Sequence, residues 1–314
     1  MAATLDTRVE TSERLSADDL AAVTHLVEAA TEADGLHPLS EHVLLHLRLG
    51  GEGPARHLLA FARDRDGHDR LAAYAHLDPT DTVDGSSAEI VVHPQCRRHG
   101  IGRLLAQSLE HASPDGRLRL WAHGQLPGAR SMAASLGYKR SRELWQMRRS
   151  LYAPLPVVEL PEAMTLRAFQ PGVDDEAWLA VNAAAFANHP EQGGWTLHDL
   201  HQRIADPWFD AAGFLVLQDA TGIAGFHWTK VHGGNQHGHA HEPIGEVYVV
   251  GVAPQHQGHG LGRALTIAGL RHLRQRGLPQ AMLYVDADNA AAIGTYTALG
   301  FTRWDVDAMF ARPQ

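Results

Sequence analysis

Cysteine is nearly absent from this chain of 314 residues: Cys96 is the only one. A lone thiol forms no internal disulfide, which excludes a disulfide-stapled secreted scaffold and fits a reducing cytoplasm. Long apolar runs are missing too. Nothing approaches the roughly 18 consecutive apolar residues of a transmembrane helix, so no membrane partner is expected. The opening MAATLDTRVE lacks the basic-then-apolar pattern of a secretory leader. Basic residues are outnumbered, 27 against 36 acidic, for a net charge of −9. That balance argues against nucleic acid as the main partner. It suits approach of a cationic amine, and plain solubility explains it equally well.

What the chain does have is an internal repeat. IVVHPQCRRHGIGRLL from Ile90 lies over VGVAPQHQGHGLGRAL from Val250, with Pro94, Gln95, Gly100, Gly102 and Arg103 meeting Pro254, Gln255, Gly260, Gly262 and Arg263. Further on, LWAHGQLPGARSMAASLGY matches LYVDADNAAAIGTYTALGF, three residues further out of step. The reading is a duplication: an N-terminal domain over 1–150, a proline-bearing linker over 151–163 and a C-terminal domain over 164–314. Each half alternates strands and helices. In the second, strands are expected at Met164–Phe169, Phe214–Gln218, Ile223–Val231, Glu246–Val252, Met282–Val285 and Phe301–Phe310. Helices are expected at Asp174–Phe186, Thr196–Ala205, Leu261–Arg276 and Ala290–Leu299. The fold class is α/β with a mixed α+β sheet, made twice. Two such domains in one chain make a monomer the default.

The informative stretch is strand, Pro254, Gln257-Gly258-His259-Gly260-Leu261-Gly262-Arg263, helix. Glycines at a helix N-terminus let unpaired backbone N–H groups approach an anion. The spacing is neither the dinucleotide fingerprint nor a Walker loop. Gln257-x-x-Gly260-x-Gly262 and Arg97-x-x-Gly100-x-Gly102 resemble the Gln/Arg-x-x-Gly-x-Gly/Ala motif of the GCN5-related N-acetyltransferase superfamily. The resemblance implies acetyl-CoA as co-substrate, its pyrophosphate cradled by Gln257, Gly258, His259, Gly260, Leu261, Gly262 and Arg263. In the first half it implies the same of Arg98, His99, Gly100, Ile101, Gly102 and Arg103. The preceding strands, Val250, Gly251, Val252 and Ile90, Val91, Val92, would offer backbone amides to the pantetheine arm and acetyl carbonyl. Asn289 and the helix start Ala290, Ala291, Ala292, Ile293, Gly294 would contact the coenzyme, and Tyr296 would face its sulfur. Arg103 and Arg263 are read evenly as phosphate contacts or surface arginines.

Acetylating an amine requires removing its proton. With an α-amine pKa near ~8, a positioned base is worth ~10²–10⁴ in rate. Glu246, on the strand before the loop, is the candidate, because a carboxylate among Val-Tyr-Val-Val needs a reason to be there. Strand alternation predicts Glu246, Tyr248 and Val250 on one face. Tyr296 is the candidate donor to the departing thiolate. At an offset of 160 Glu246 falls on Ser86, and at 163 Tyr296 falls on Ala133 and Asn289 on Leu126. The first half keeps the loop and loses the chemistry, so it is read as non-catalytic.

FHWTKVH (Phe226–His232), GEVYVVGV (Gly245–Val252) and YVDADNAAA (Tyr284–Ala292) extend the resemblance over nearly the whole chain to the tandem mycothiol synthase family. That implies an acceptor, desacetylmycothiol, whose cysteinyl amine is acetylated. It also implies acceptor contacts at Asp34, Glu191, Lys230, Glu246 and Tyr284. Two alternatives stay open: a tandem acetyltransferase for an aminoglycoside or a protein N-terminus, and a non-catalytic acetyl-CoA sensor. No metal is expected. The histidine-rich run His232–His241 is read as a solvated loop, and Cys96 as a passive thiol with no paired base.

Overall fold

A computed structural model describes residues 6–49, 54–63, 67–81, 85–114, 116–124, 126–157, 160–233 and 243–313. In chain order the elements are β1 (Thr7–Ser12), α1 (Ala17–Asp34), α2 (Glu41–Leu49), β2 (Arg56–Arg63), β3 (Asp69–Asp78), β4 (Ser86–Val92), α3 (Ile101–Ala112), β5 (Leu118–Ala122), α4 (Pro127–Ser135) and β6 (Lys139–Ser150). Then come β7 (Thr165–Ala168), α5 (Asp175–Ala185), α6 (Pro190–Gly193), α7 (Leu197–Ile204), β8 (Phe214–Asp219), β9 (Gly222–His232), β10 (Ile244–Val252), α8 (Leu261–Gln275), β11 (Gln280–Asp286), α9 (Ala290–Ala298) and β12 (Thr302–Ala311). Among the described residues, no helix is long and apolar enough to cross a membrane.

The chain forms two compact units that do not divide at one point. The first is Met1–Leu144 with Asp286–Asp288 and Asp305–Gln314; the second is Trp145–Val285 with Asn289–Trp304. The proline-rich boundary drawn at 150–151 thus falls inside the second unit, where Leu151 is fully buried and its N–H donates to Pro279 O over 2.8 Å. Residues 305–314 belong with the first unit because strand pairing holds them there: Ala308–Ala311 run antiparallel to Ala122–Arg119 of β5.

Each unit is a mixed sheet with helices. In the first, neighbouring strands run β1-β2-β3-β4-β5-β12; in the second, β6-β11-β10-β9-β8-β7. Pairing is antiparallel along β1-β2-β3-β4 and β7-β8-β9-β10, with one parallel pair in each unit, β4–β5 and β10–β11. The site of interest lies where those parallel pairs end.

On one side of the second sheet α8 buries Leu261, Leu265, Leu270 and Leu273. Its central part packs with Val247, Ala281 and Leu283. Contact is close enough that a Cβ on Gly269 would lie 2.0 Å from the His227 ring. His227 is fully buried, and its Nδ1–H donates to Leu265 O at 2.7 Å. The opposite side is an aromatic layer of Phe169, Trp178, Phe214, Phe226 and Trp228. Phe214 and Trp228 stack with centroids 4.2 Å apart. Each such ring contributes roughly 1.5–3 kcal/mol by leaving water.

The first unit buries polar groups instead. Glu89 accepts from Ser40 N at 2.6 Å, and Asp307 of β12 accepts from Gly124 N at 2.8 Å and His123 Nδ1 at 3.0 Å. Burial alone would lower His123; its carboxylate neighbours Asp307 and Glu89 raise it to about 10. Nearby, His57 Nδ1 lies 2.7 Å from the Tyr74 hydroxyl. Burial pushes His57 down to about 4 and His76 to about 3.

Gly269→Ala drives a methyl into the His227 ring, and overpacking of this kind costs ~1–3 kcal/mol; a lowered urea midpoint with an unchanged m-value checks it. A second prediction concerns pH. The unfolded chain protonates His57 and His76 near ~6.5, above the pKa values these groups have when folded. Their contribution is therefore complete above that pH and is lost as pH falls through the window toward about 4. His123 has the opposite sign, losing its contribution as pH climbs toward about 10. The urea midpoint falls from pH 6 to pH 4.5, and His76→Phe flattens that slope.

Candidate functional site

The glycine loop of the second unit leads into the uncapped start of α8. A short turn at Pro254–His256 ends in Gln257, whose Nε2 donates to Val252 O at 3.1 Å. Gly258 and Gly260 have φ of +80° and +76°, a region that penalises a side chain. Gly260 caps α8 with no side-chain hydrogen bond, so the first-turn N–H groups of α8 keep their donors for a ligand. A cavity of about 420 Å³ opens here, lined by Leu160, Pro161, His259, Gly260, Leu261, Arg263 and Ala264. The chemistry of that lining fits a phosphorylated substrate. The first unit repeats the arrangement: Gly100 (φ +87°) caps α3 without a side-chain bond, and Arg97 Nε donates to Val92 O at 3.1 Å. Arg98 there has a positive φ of 69°. Arg103 bonds Ser135 Oγ at 2.7 Å, and Gly102 lies against Met132.

Strand β10 leads into the loop, and it does not alternate simply. Val247 pairs with Thr229 and Val249 with Trp228, leaving Tyr248 as an extra residue in a bulge. Val247 and Val250 therefore pack on the α8 side, while Tyr248 and Val249 both join the aromatic layer. The expectation of Glu246, Tyr248 and Val250 on one face is corrected by that extra residue. Parallel pairing of β10 with β11 comprises Gly245–Ala281 and Glu246–Met282. Beyond it Val250, Gly251 and Val252 still pair with His227, Phe226 and Gly225 of β9, but not with β11. The two parallel strands separate just after Glu246.

Glu246 is 7% exposed, at the point of separation. Its Oε2 lies 2.5 Å from His232 Nε2, and the register sets Lys230 opposite it. Burial alone would push this carboxyl up; the His232 imidazole and the Lys230 ammonium outweigh it and hold Glu246 below the usual carboxylate range. Lys230 is buried too, its Nζ 4.5 Å from the Trp208 ring centroid and 5.3 Å from that of Tyr248. Arg203 of α7 reaches the Tyr248 hydroxyl at 3.0 Å.

Tyr296 sits on α9 among the apolar residues that pack with α8, 5.8 Å from the Phe301 ring. Burial pushes its phenol up to about 12, so it stays protonated and able to donate. Asn289 caps α9, its Oδ1 accepting from Ala292 N at 3.0 Å, which fixes the start of the helix at Ala290, Ala291, Ala292, Ile293 and Gly294. Tyr284 on β11 is 40% exposed and accepts from Gln146 Nε2 at 2.8 Å. The side chain of Glu191 and residues 234–242 lie outside the described residues. Asp34 is engaged by Arg97 in a two-pronged ion pair of 2.6 and 2.7 Å, within the first unit.

The bulge also revises the internal comparison. Val252 pairs with Gly225 as Val92 pairs with Ala73, and Lys230 pairs with Glu246 as Asp78 pairs with Ser87. The counterpart of Glu246 is thus Ser87, not Ser86. Without a bulge, β4 stays paired with β5 through Glu89–Trp121, two residues further than β10 with β11. The counterpart of Asn289, Leu126, caps α4 with no side-chain bond, and that of Tyr296 is buried Ala133. His232, assigned from sequence to a solvated loop, closes β9 instead. Its position two residues after Lys230 was the available signal, since alternation puts both on one face.

The Acetyltransferase (GNAT) family model matches residues 21–138 and again 178–301. Mycothiol acetyltransferase of Thermobispora bispora is 56% identical, with 97% of this chain and 99% of the relative covered. That of Streptosporangium roseum is 52% identical over 98% and 100%. Among solved structures, a GCN5-related N-acetyltransferase from Sphaerobacter thermophilus superposes with a TM-score of 0.67 at 25% identity, covering 99% of this chain and 98% of that one. A tandem GNAT protein from the clavulanic acid pathway gives 0.71 at 20% identity over 98% and 100%, a likeness of fold. With the double match and full-length relatives of this identity, the chain belongs to the mycothiol acetyltransferases, a tandem branch of the GNAT acetyltransferase family.

Proposed function

We propose that the second unit transfers the acetyl group of acetyl-CoA to the cysteinyl amine of desacetylmycothiol, giving mycothiol and CoA, and that the first unit does not catalyse. The observation that carries this is Glu246. It is a buried, ionised carboxylate where β10 parts from β11, on the strand that runs into the phosphate-type loop. The first unit has Ser87 and Asp78 where the second has Glu246 and Lys230. The names of the relatives support the choice of acceptor.

In this reading the amine lone pair attacks the thioester carbonyl, the C–S bond breaks, and the proton lost from nitrogen passes to Glu246. A carboxylate held below its usual range is a weak base toward a free ammonium. Once nitrogen has bonded to the carbonyl carbon its N–H is far more acidic, and a weak base then suffices. The backbone amides of Val250–Val252 stand to polarise the carbonyl. Tyr296 serves as hydrogen-bond donor to the thiolate; with its phenol at about 12 against ~8.5 for a thiol, complete proton transfer is uphill. Lys230 and Tyr284 are assigned to the acceptor along with Glu246. Asp34 and Glu191 remain proposals from the family resemblance. The enzyme works in the cytoplasm as a monomer, on a small-molecule acceptor.

The test is CoA release with desacetylmycothiol against aminoglycosides and N-terminal peptides. We expect turnover with the thiol precursor alone. Glu246→Gln lowers kcat/KM ~10²–10⁴-fold at pH 7, and Tyr296→Phe lowers kcat by about tenfold, the loss of one hydrogen bond of ~1.4 kcal/mol. Gly260→Val raises the acetyl-CoA KM and leaves the acceptor KM alone. Equal use of the whole panel overturns the acceptor assignment, and an unimpaired Glu246→Gln overturns the base.

A further inference from the structure

His232 lies outside every role assigned so far, yet its Nε2 makes a 2.5 Å hydrogen bond to Glu246. The two side chains come from adjacent antiparallel strands. Lys230 is the register partner of Glu246, and His232 follows two residues later on the same face. The Glu246 side chain is 9% exposed and that of His232 35%.

A carboxylate buried without cationic partners takes up a proton and ceases to be a base. Burial does push Glu246 up, and His232 is the leading influence against it, ahead of Lys230. Among the described residues, the neighbouring strands and α7 bring these groups toward the pair. Lys230 comes from β9, Arg203 of α7 acts through the Tyr248 hydroxyl, and β11 brings uncharged Met282 opposite Glu246. Lys230 is shared with the Trp208 and Tyr248 rings. The repeat supplies an independent observation. Where the second unit has Glu246, Lys230 and His232, the first has Ser87, Asp78 and, two residues beyond Asp78, Thr80. All three groups are absent together from the copy without the base.

We propose that His232 is a positioning residue for acetyl transfer, keeping Glu246 ionised and fixing its Oε2 so that Oε1 is left for the acceptor amine. This rests on Glu246 as the proton acceptor. As the N–C bond forms and the C–S bond breaks, the amine proton passes to Oε1, and the proton inventory of the imidazole does not change during the step. His232 acts through Glu246 and touches neither substrate.

The test is the pH profile of kcat/KM, whose acidic limb reports the base of the free enzyme. In His232→Leu the limb moves up by about one pH unit or more. Above the moved limb, turnover stays within about threefold of the parent, with the acetyl-CoA KM unchanged. His232→Gln keeps a hydrogen-bond donor and shifts the limb less; it answers the same question should the leucine variant fail to fold. In a Glu246→Gln background His232→Leu has no further pH-dependent effect, because the two act as one unit. Infrared difference titration, parent minus Glu246→Gln, follows the carboxylate without any acceptor, and its protonation moves up in His232→Leu. A loss of activity equal at all pH values, or an unmoved carboxylate titration, overturns the proposal. Because the infrared measurement needs no acceptor, it stands even if the amine assignment fails.

Discussion

One extra residue in β10 determines what the second unit can do. Tyr248 is inserted opposite no residue of β9, and the bulge bends the strand where it would otherwise keep pairing with β11. Three consequences come from that bend. The parallel strands part after Glu246, which leaves one edge of Val250–Val252 without a neighbour from β11. Tyr248 and Val249 both enter the aromatic layer, where Tyr248 closes over Lys230. And Glu246 is left buried at the fork. The first unit shows the alternative: with no insertion, its parallel pair continues two residues further.

The electrostatics of the two units then diverge around similar loops. In each, a glycine in the left-handed region caps a helix without a side-chain bond, and a long polar side chain (Gln257 or Arg97) reaches back to the carbonyl that ends the strand. Around that shared frame the second unit sets a carboxylate between an imidazole and an ammonium. The first gathers a histidine between two carboxylates, with His123 raised to about 10. One arrangement holds a buried carboxylate ionised; the other holds a buried histidine protonated.

Much of this was legible in the sequence because it follows from local rules. Glycine spacing before a helix, a helix stop at Gly277, an asparagine ahead of Ala290 and the repeat itself are short-range signals. The elements of the second half lie within a few residues of where periodicity puts them. What was hidden depends on pairing between distant strands. The face of each β10 side chain requires knowing that Thr229 and Trp228 of β9 straddle a bulge. Alternation cannot supply that, and the repeat misaligned Glu246 with Ser86 for the same reason. His232 looked like the edge of a histidine-rich stretch because its partner lies 14 residues away across a strand pair. Asp34 was read as an acceptor contact with no partner of its own, because nothing local in the sequence joins it to Arg97, 63 residues on.

The boundary between units carries a consequence for how the molecule is made. Residues 305–314 belong to the first unit, bonded to β5 and, through Asp307, to His123 and Gly124. Synthesis runs from the N-terminus, so the first 144 residues leave the ribosome long before the strand that completes their sheet. The earliest-made unit is finished last. Until then β5 exposes an unpaired edge, and His123 has only one of its two carboxylates. The family model matches twice, yet a cut after residue 144 leaves the first copy without the strand that pairs with β5.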